Sequence, residues 1–154
     1  MKCELFFVGK TTDKYLLEGL DIYMKRLSHY LPVSIVVTSP SSHVDAKKAV
    51  EEEGVNILSR IKARDFVILL DENGSMLTST ELAQKLEKWM VEGYSRLIFV
   101  SGGAYGLSAD LRKRANYLLS ASRFTFTHQM IRLILAEQLY RAMTIIRNES
   151  YHHG

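Results

Sequence analysis

The sequence predicts one α/β domain, a parallel sheet with helices on both faces. Three observations lead there. Short apolar runs at residues 5–8, 66–70 and 97–100 read as buried strands. Longer stretches with apolar residues at helical spacing lie between them, and strands alternating with helices are the pattern of a parallel sheet. No repeat, low-complexity stretch or linker divides the 154 residues, so residues 1–154 form a single domain.

The elements follow in chain order. Residues 5–8 make a buried strand that Gly9 ends. Residues 12–30 make a helix, with Leu16, Leu20, Tyr23 or Met24, and Leu27 on one face. Val33, Ile35 and Val37 alternate with Ser34, Val36 and Thr38 in a second strand, broken by Pro40-Ser41-Ser42. The next helix covers residues 44–61, and its Glu51-Glu52-Glu53 reads as a solvated face. Residues 66–70 are the third strand, and Asp71-Glu72-Asn73-Gly74 supplies a turn. Thr78 and Glu81 stand at the spacing of a capping box, each satisfying the other's free amide. The helix they start stops at Gly93. The fourth strand is 97–100. Ser108 caps a short helix reaching Asn116, residues 117–120 make a fifth strand, and Thr127 caps a last helix reaching Asn148.

Composition narrows the function. Apolar residues are 47% of the chain, enough for a real core, and the net charge of +3 is weak evidence for nucleic acid. The single Cys3 excludes an internal disulfide and fits a reducing cytosol, hence a cytoplasmic location. No apolar run approaches the ~18 residues of a membrane span. The start of the chain carries an acid and is too short for a signal peptide's apolar region.

The candidate site begins at Gly102-Gly103-Ala104-Tyr105-Gly106, after the fourth strand. This loop lacks the dinucleotide spacing and the Gly-Lys-Ser/Thr of a phosphate loop. It does lie at the carboxyl end of a strand, where open α/β sheets bind ligands. A ligand loop and a plain tight turn both remain open. The last helix is apolar around most of its circumference and needs cover on more than one side, part of it from a second subunit. Its polar stripe is Glu137, Arg141, Thr144 and Asn148, read either as a surface ion pair or as a site. Arg132 falls off the stripe and either snorkels or binds an anion. Arg112-Lys113-Arg114 reads as a solvated face or a phosphate contact. Tyr151-His152-His153 reads as a frayed end or a second layer of chemistry. No metal site is expected, because no further ligands stand at the right spacing. No Ser-His-Asp order is legible, and Cys3, in a buried strand, is no candidate nucleophile.

Several segments together carry a resemblance. They are Phe7-Val8-Gly9-Lys10, Ile68-Leu69-Leu70-Asp71, Gly102-Gly103-x-x-Gly106-Leu107, Phe126-Thr127-His128-Gln129-Met130-x-Arg132, Glu137-Gln138-Leu139-Tyr140-Arg141-Ala142, and Tyr151-His152. Across essentially the whole chain these resemble the RlmH family, SPOUT-class methyltransferases of bacterial ribosomes. The resemblance implies methylation of N3 of a pseudouridine in helix 69 of 23S rRNA, on assembled ribosomes. It also implies a homodimer, a C-terminal trefoil knot and S-adenosyl-L-methionine as donor. The donor would be held mainly by backbone groups at Leu70, Gly103 and the loop Ser122, Arg123, Phe124, Thr125, Phe126 and Thr127. Arg141, Tyr151 and His152 would bind or orient the nucleotide. Glu137 or a polar tail group would take the N3 proton, or Arg141 would stabilise the anionic base. His153 stands where the family usually has Lys or Arg, and Thr127 where it often has Pro. Two other readings stand beside this one: a SPOUT enzyme acting on another RNA such as tRNA, and a non-catalytic nucleotide-binding α/β dimer.

Overall fold

The computed structural model describes all residues, Met1–Gly154. Its elements are β1 (Lys2–Val8), α1 (Lys14–Ser28), β2 (Val33–Thr38), α2 (Ala46–Ser59), β3 (Asp65–Met76), α3 (Ser79–Val91), β4 (Arg96–Ser101), α4 (Ala109–Arg114), β5 (Tyr117–Ser120) and α5 (Met130–Ile146). The strands form one sheet in the order β2-β1-β4-β3-β5. Every neighbouring pair is parallel, with Leu5 beside Phe99 and Ile68 beside both Phe99 and Tyr117.

Side chains of successive strand residues leave opposite faces, and the two cores follow that alternation. Cys3, Leu5, Phe7, Ile68, Leu97 and Phe99 pack under α1, α3 and α5. Phe6, Val8, Val67, Leu69, Ile98 and Val100 pack under α2 and α4 through Ile57 and Leu111. The sheet is buried on both sides, which is why its strands read as unbroken apolar runs.

Local signals behave as expected at three helix starts. Thr78 Oγ1 accepts from the Glu81 amide at 3.1 Å, and the Glu81 carboxylate accepts from the Thr78 amide at 3.3 Å. Ser108 Oγ accepts from Leu111 N at 3.2 Å. Thr127 Oγ1 accepts from Met130 N at 3.0 Å, capping the turn that leads into α5. The first two helices are shorter than expected at both ends; α2 starts after Asp45, whose carboxylate accepts from Lys47 N.

Three expectations need correction. Asp71–Gly74 is not a plain turn: β3 continues to Met76 through a register shift, with Leu119 opposite both Leu70 and Ser75. Gly74 permits this, since a Cβ there would come within 2.6 Å of the Leu118 carbonyl. Arg132 neither snorkels nor meets an anion. It is fully buried, donating to the carbonyls of Val8, Gly9 and His128 and to Thr11 Oγ1 at 2.7–3.1 Å. Those bonds tie the end of β1 to the start of α5 and satisfy carbonyls that burial would otherwise strand. Thr144, assigned to a polar stripe, is buried and bonds back to the Arg141 carbonyl.

At the amino end of the sheet Arg96 gathers two carboxylates. It binds Asp65 through two parallel bonds at 2.9 Å and Glu4 at 2.7 Å, and donates to the Arg60 carbonyl. One guanidinium thus links β1, β3 and β4. Burial pushes the Asp65 carboxyl up, but Arg96 and the Lys62 amide outweigh it and hold it below the usual range. No helix is long and apolar enough to cross a membrane.

Candidate active site

The carboxyl ends of β3, β4 and β5 surround a cleft of roughly 410 Å³, within the size range of small-molecule sites. Leu70 and Asp71 come from β3, Ser101 to Leu107 from β4 and its loop, and Leu119 to Ser122 from β5 and its loop. Phe124, Thr125, Phe126, His128 and Ile131 close the remaining side. Each strand ends its apolar run here, so polar backbone and small side chains face the space.

The glycine loop is tightly folded. A Cβ at Gly102 would sit 2.7 Å from the Gly106 carbonyl, so the loop closes only on glycine. Gly103 behaves differently from expectation. Its absent Cβ faces Glu53 Oε1 at 3.3 Å and Val8 at 3.4 Å, neither of which lines the cleft. A larger residue would push the loop from behind rather than fill the ligand's space. Glu53 is therefore not part of a solvated face: it backs the glycine loop and accepts from Ser41 N at 2.9 Å. Among the expected cofactor residues, Leu70, Gly103, Ser122, Phe124, Thr125 and Phe126 line the cleft. Arg123 and Thr127 are exposed outside it, and Thr127 serves as a cap.

Asp71 and His128 were not among the expected site residues, and Arg112 was read only as part of a solvated face or a phosphate contact. Asp71 and Arg112 face each other at 2.7 Å, and Asp71 also accepts from Asn73 N. Asp71 was legible as the first polar residue after an apolar strand; its partner, 41 residues away, was not. Arg112-Lys113-Arg114 is thus not a uniformly solvated face, since Arg114 also bonds the Lys62 and Asp65 carbonyls. His128 lines the cleft, and burial followed by the nearby Arg132 pushes its pKa down, favouring the neutral ring.

The polar residues of α5 and the tail form a second cluster. Arg141 donates twice to Glu137 Oε1, at 3.0 and 2.6 Å, and Tyr151 OH donates to the same oxygen at 3.0 Å. Arg141 Nη1 meets His152 Nδ1 at 3.1 Å. Arginine carries no acceptor, so Nδ1 accepts and the ring proton sits on Nε2. The tail is held rather than frayed. Asn148, at φ 55°, ends α5 in a left-handed turn, and the Glu149 amide bonds back to the Thr144 carbonyl at 2.8 Å. That turn returns Tyr151 against Tyr140, ring centres 4.7 Å apart. Burial first, then bonds to Tyr23 and Glu137, raise the Tyr151 pKa, so the phenol keeps its proton.

This cluster does not line the cleft. Arg141 lies ten residues beyond Ile131 on α5, roughly 15 Å along the axis. Between them an apolar groove of about 310 Å³, lined by Leu77, Leu82, Phe126, Ile131 and Ile134 among others, adjoins the cleft.

The fold is a parallel α/β sheet with its loops gathered over the carboxyl edge, and its class is given by the family described as predicted SPOUT methyltransferase, which matches residues 1–152. Proteins named ribosomal RNA large subunit methyltransferase H match over nearly the full length. That of Natranaerobius thermophilus is 44% identical, covering 99% of this chain and 100% of its own. Those of Cytophaga hutchinsonii and Syntrophotalea carbinolica are each 46% identical, covering 99% of this chain and 100% and 99% of their own. The chain belongs to the ribosomal RNA large subunit methyltransferase H family of SPOUT methyltransferases. A probable methylase family protein of Haemophilus influenzae shares the fold, with a TM-score of 0.52 at 14% identity, over 99% of this chain and 70% of that one.

Proposed function

We propose that this protein methylates N3 of a pseudouridine in helix 69 of 23S rRNA on the assembled ribosome, as a homodimer using S-adenosyl-L-methionine. The observation that carries the reading is the full-length kinship with large-subunit rRNA methyltransferases together with the cleft at the carboxyl edge of the sheet. The cleft suits such a donor. Its volume is adequate, and its lining combines apolar Leu70, Leu107 and Leu119 with the glycines and serines of the surrounding loops. Leu70, Gly103, Ser122 and residues 124–126 would hold it, and when bound it supplies an electrophilic methyl group on a sulfonium. The loop after β5 shares the cleft with the β3 and β4 loops, and a trefoil knot in this half of the chain belongs to the same proposal.

The chain's own residues then have to place the nucleotide. Glu137 Oε1 already accepts three hydrogen bonds, so its role is to hold Arg141 and Tyr151 rather than to take the N3 proton. The N3 proton passes to solvent water, Arg141 stabilises the anionic base that remains, and Tyr151 and His152 orient it. Because this cluster stands away from its own cleft, it completes the cleft of a second copy. The half-buried apolar residues Leu133 and Ile134 of α5, with the groove beside the cleft, form the contact.

Methyl transfer to ribosomes, separated subunits and naked rRNA, measured side by side, tests the substrate. Intact ribosomes should be preferred, since few excess cations leave little nonspecific affinity for free RNA. Equal rates on a short naked hairpin would overturn it. The shared site is tested by pairing a subunit lacking residues 151–154 with a Gly103→Val subunit, whose glycine loop is pushed out of place by Glu53 and Val8 and whose loss of donor binding is checked by calorimetry. Activity in that heterodimer supports a site built from both chains. Full activity of the tailless homodimer would remove the tail from the mechanism.

A further inference from the structure

We infer that Arg112 is a pre-positioned seat for an oxyanion at the mouth of the cleft. The seat takes a carboxylate or a phosphate group. The inference rests on the methyltransferase reading only for the identity of that anion.

The arginines differ in where their donors go. Arg96, Arg114, Arg132 and Arg141 each engage both terminal nitrogens within the protein. Arg60 bonds only through Nε, to Asn56 Oδ1, but it is exposed and lies outside the cleft. Arg112 is the arginine that lines the cleft. Its Nε donates to Asp71 Oδ2 at 2.7 Å, and its two terminal nitrogens make no hydrogen bond within the protein. Its side chain is 44% exposed and lines the cleft, while that of Asp71 is 4% exposed. The carboxylate is itself fixed, because Oδ1 accepts from Asn73 N at 3.0 Å. A flexible side chain is therefore held at its neck, with its forked end free beside the ligand space.

This arrangement lowers the entropy lost when an anion binds, and a planar fork matches the two oxygens of a carboxylate or phosphate. The Asp71–Arg112 pair is neutral in sum. Recognition is accordingly directional, through two parallel N–H donors, rather than a matter of net charge. Two anions reach a cleft of this kind. One is the amino-acid carboxylate of the methyl donor, the other a backbone phosphate of the RNA next to the target base.

The test uses the full-length protein and Arg112→Gln, with Arg112→Lys and Lys113→Gln as comparisons. Binding of S-adenosyl-L-methionine and of 5′-methylthioadenosine, which lacks the carboxylate, is measured by calorimetry. KM for the RNA substrate is measured against salt. A donor carboxylate in the seat predicts at least tenfold weaker S-adenosyl-L-methionine binding by Arg112→Gln, with methylthioadenosine unchanged. A phosphate there predicts unchanged donor binding, at least a tenfold rise in KM, and a salt slope lower by about one. In either case Arg112→Lys recovers only part of the loss, and Lys113→Gln behaves as the parent. The inference is overturned if Arg112→Gln changes neither quantity, weakens both adenosine ligands equally, or fails to fold. A parent protein that binds neither adenosine compound would instead overturn the methyltransferase reading. The seat would then be tested by titrating inorganic pyrophosphate and following the Arg112 Nε–H resonance, whose failure to shift would overturn it.

Discussion

The apolar run of β3 has an aspartate at each end, each paired with an arginine, and the two pairs are finished differently. At the amino end Asp65 is 1% exposed, and Arg96 uses its donors on Asp65, Glu4 and the Arg60 carbonyl. At the carboxyl end Asp71 is almost as buried, yet Arg112 uses one nitrogen on it and leaves the fork open. The first pair closes a charge network across three strands. The second presents unused donors to a cleft. Burial of the carboxylate is nearly the same in both, so exposure of the arginine separates a structural pair from a binding one. Removing one partner of a buried pair leaves a stranded charge, whereas an exposed guanidinium adds little stability.

The largest expected effect breaks the structural side. Arg96→Ala leaves the buried Asp65 without its cation and Glu4 with only the exposed Lys2, and should cost about 3–5 kcal/mol. Urea denaturation would measure it. A loss below about 1 kcal/mol would mean that the amino-end network holds nothing together.

A smaller effect concerns acid. The folded Asp65 carboxyl lies below its ordinary value, while in the unfolded chain it titrates near ~3.9. Its contribution is fully present above the unfolded value and is lost as pH falls through the folded one. The stability of the parent should therefore decline on acidification below about pH 4, and Asp65→Asn should flatten that decline. Identical acid profiles for the two proteins would count against the pairing.

The smallest expected effect sharpens the other side. Arg112→Gln takes the cation from the buried Asp71 but should cost less than Arg96→Ala, about 1–2 kcal/mol, because glutamine can still donate to Asp71 and the Asn73 amide keeps its bond. A loss comparable to that of Arg96→Ala would make the two pairs alike and remove the reason to regard Arg112 as a seat.

Much of the fold was legible because its signals are local. The Thr78–Glu81 box, the Ser108 cap and the apolar strand runs each depend on residues within a few positions of one another. The site was legible only in part. The glycine loop and the loop after β5 follow from the rule that ligands gather at strand carboxyl ends, and both line the cleft. The tail cluster was legible as residue types, through helical spacing and family resemblance. Its geometry depends on the left-handed Asn148, which turns Tyr151 back onto Glu137.

The sequence by itself determined the alternation of strands and helices, the caps, the two-faced burial of the sheet and the kind of loop that follows β4. Each is written in the order and polarity of neighbouring residues. Tertiary structure alone decided what each charged residue does. Arg96, Arg112 and Arg132 look alike in the chain, but their partners lie up to 92, 41 and up to 124 residues away. One became a strand clamp, one an open fork and one a buried tie between β1 and α5. A charged group's role follows from how many of its donors the surrounding fold consumes and how much water remains around it. Neither quantity exists until distant segments pack.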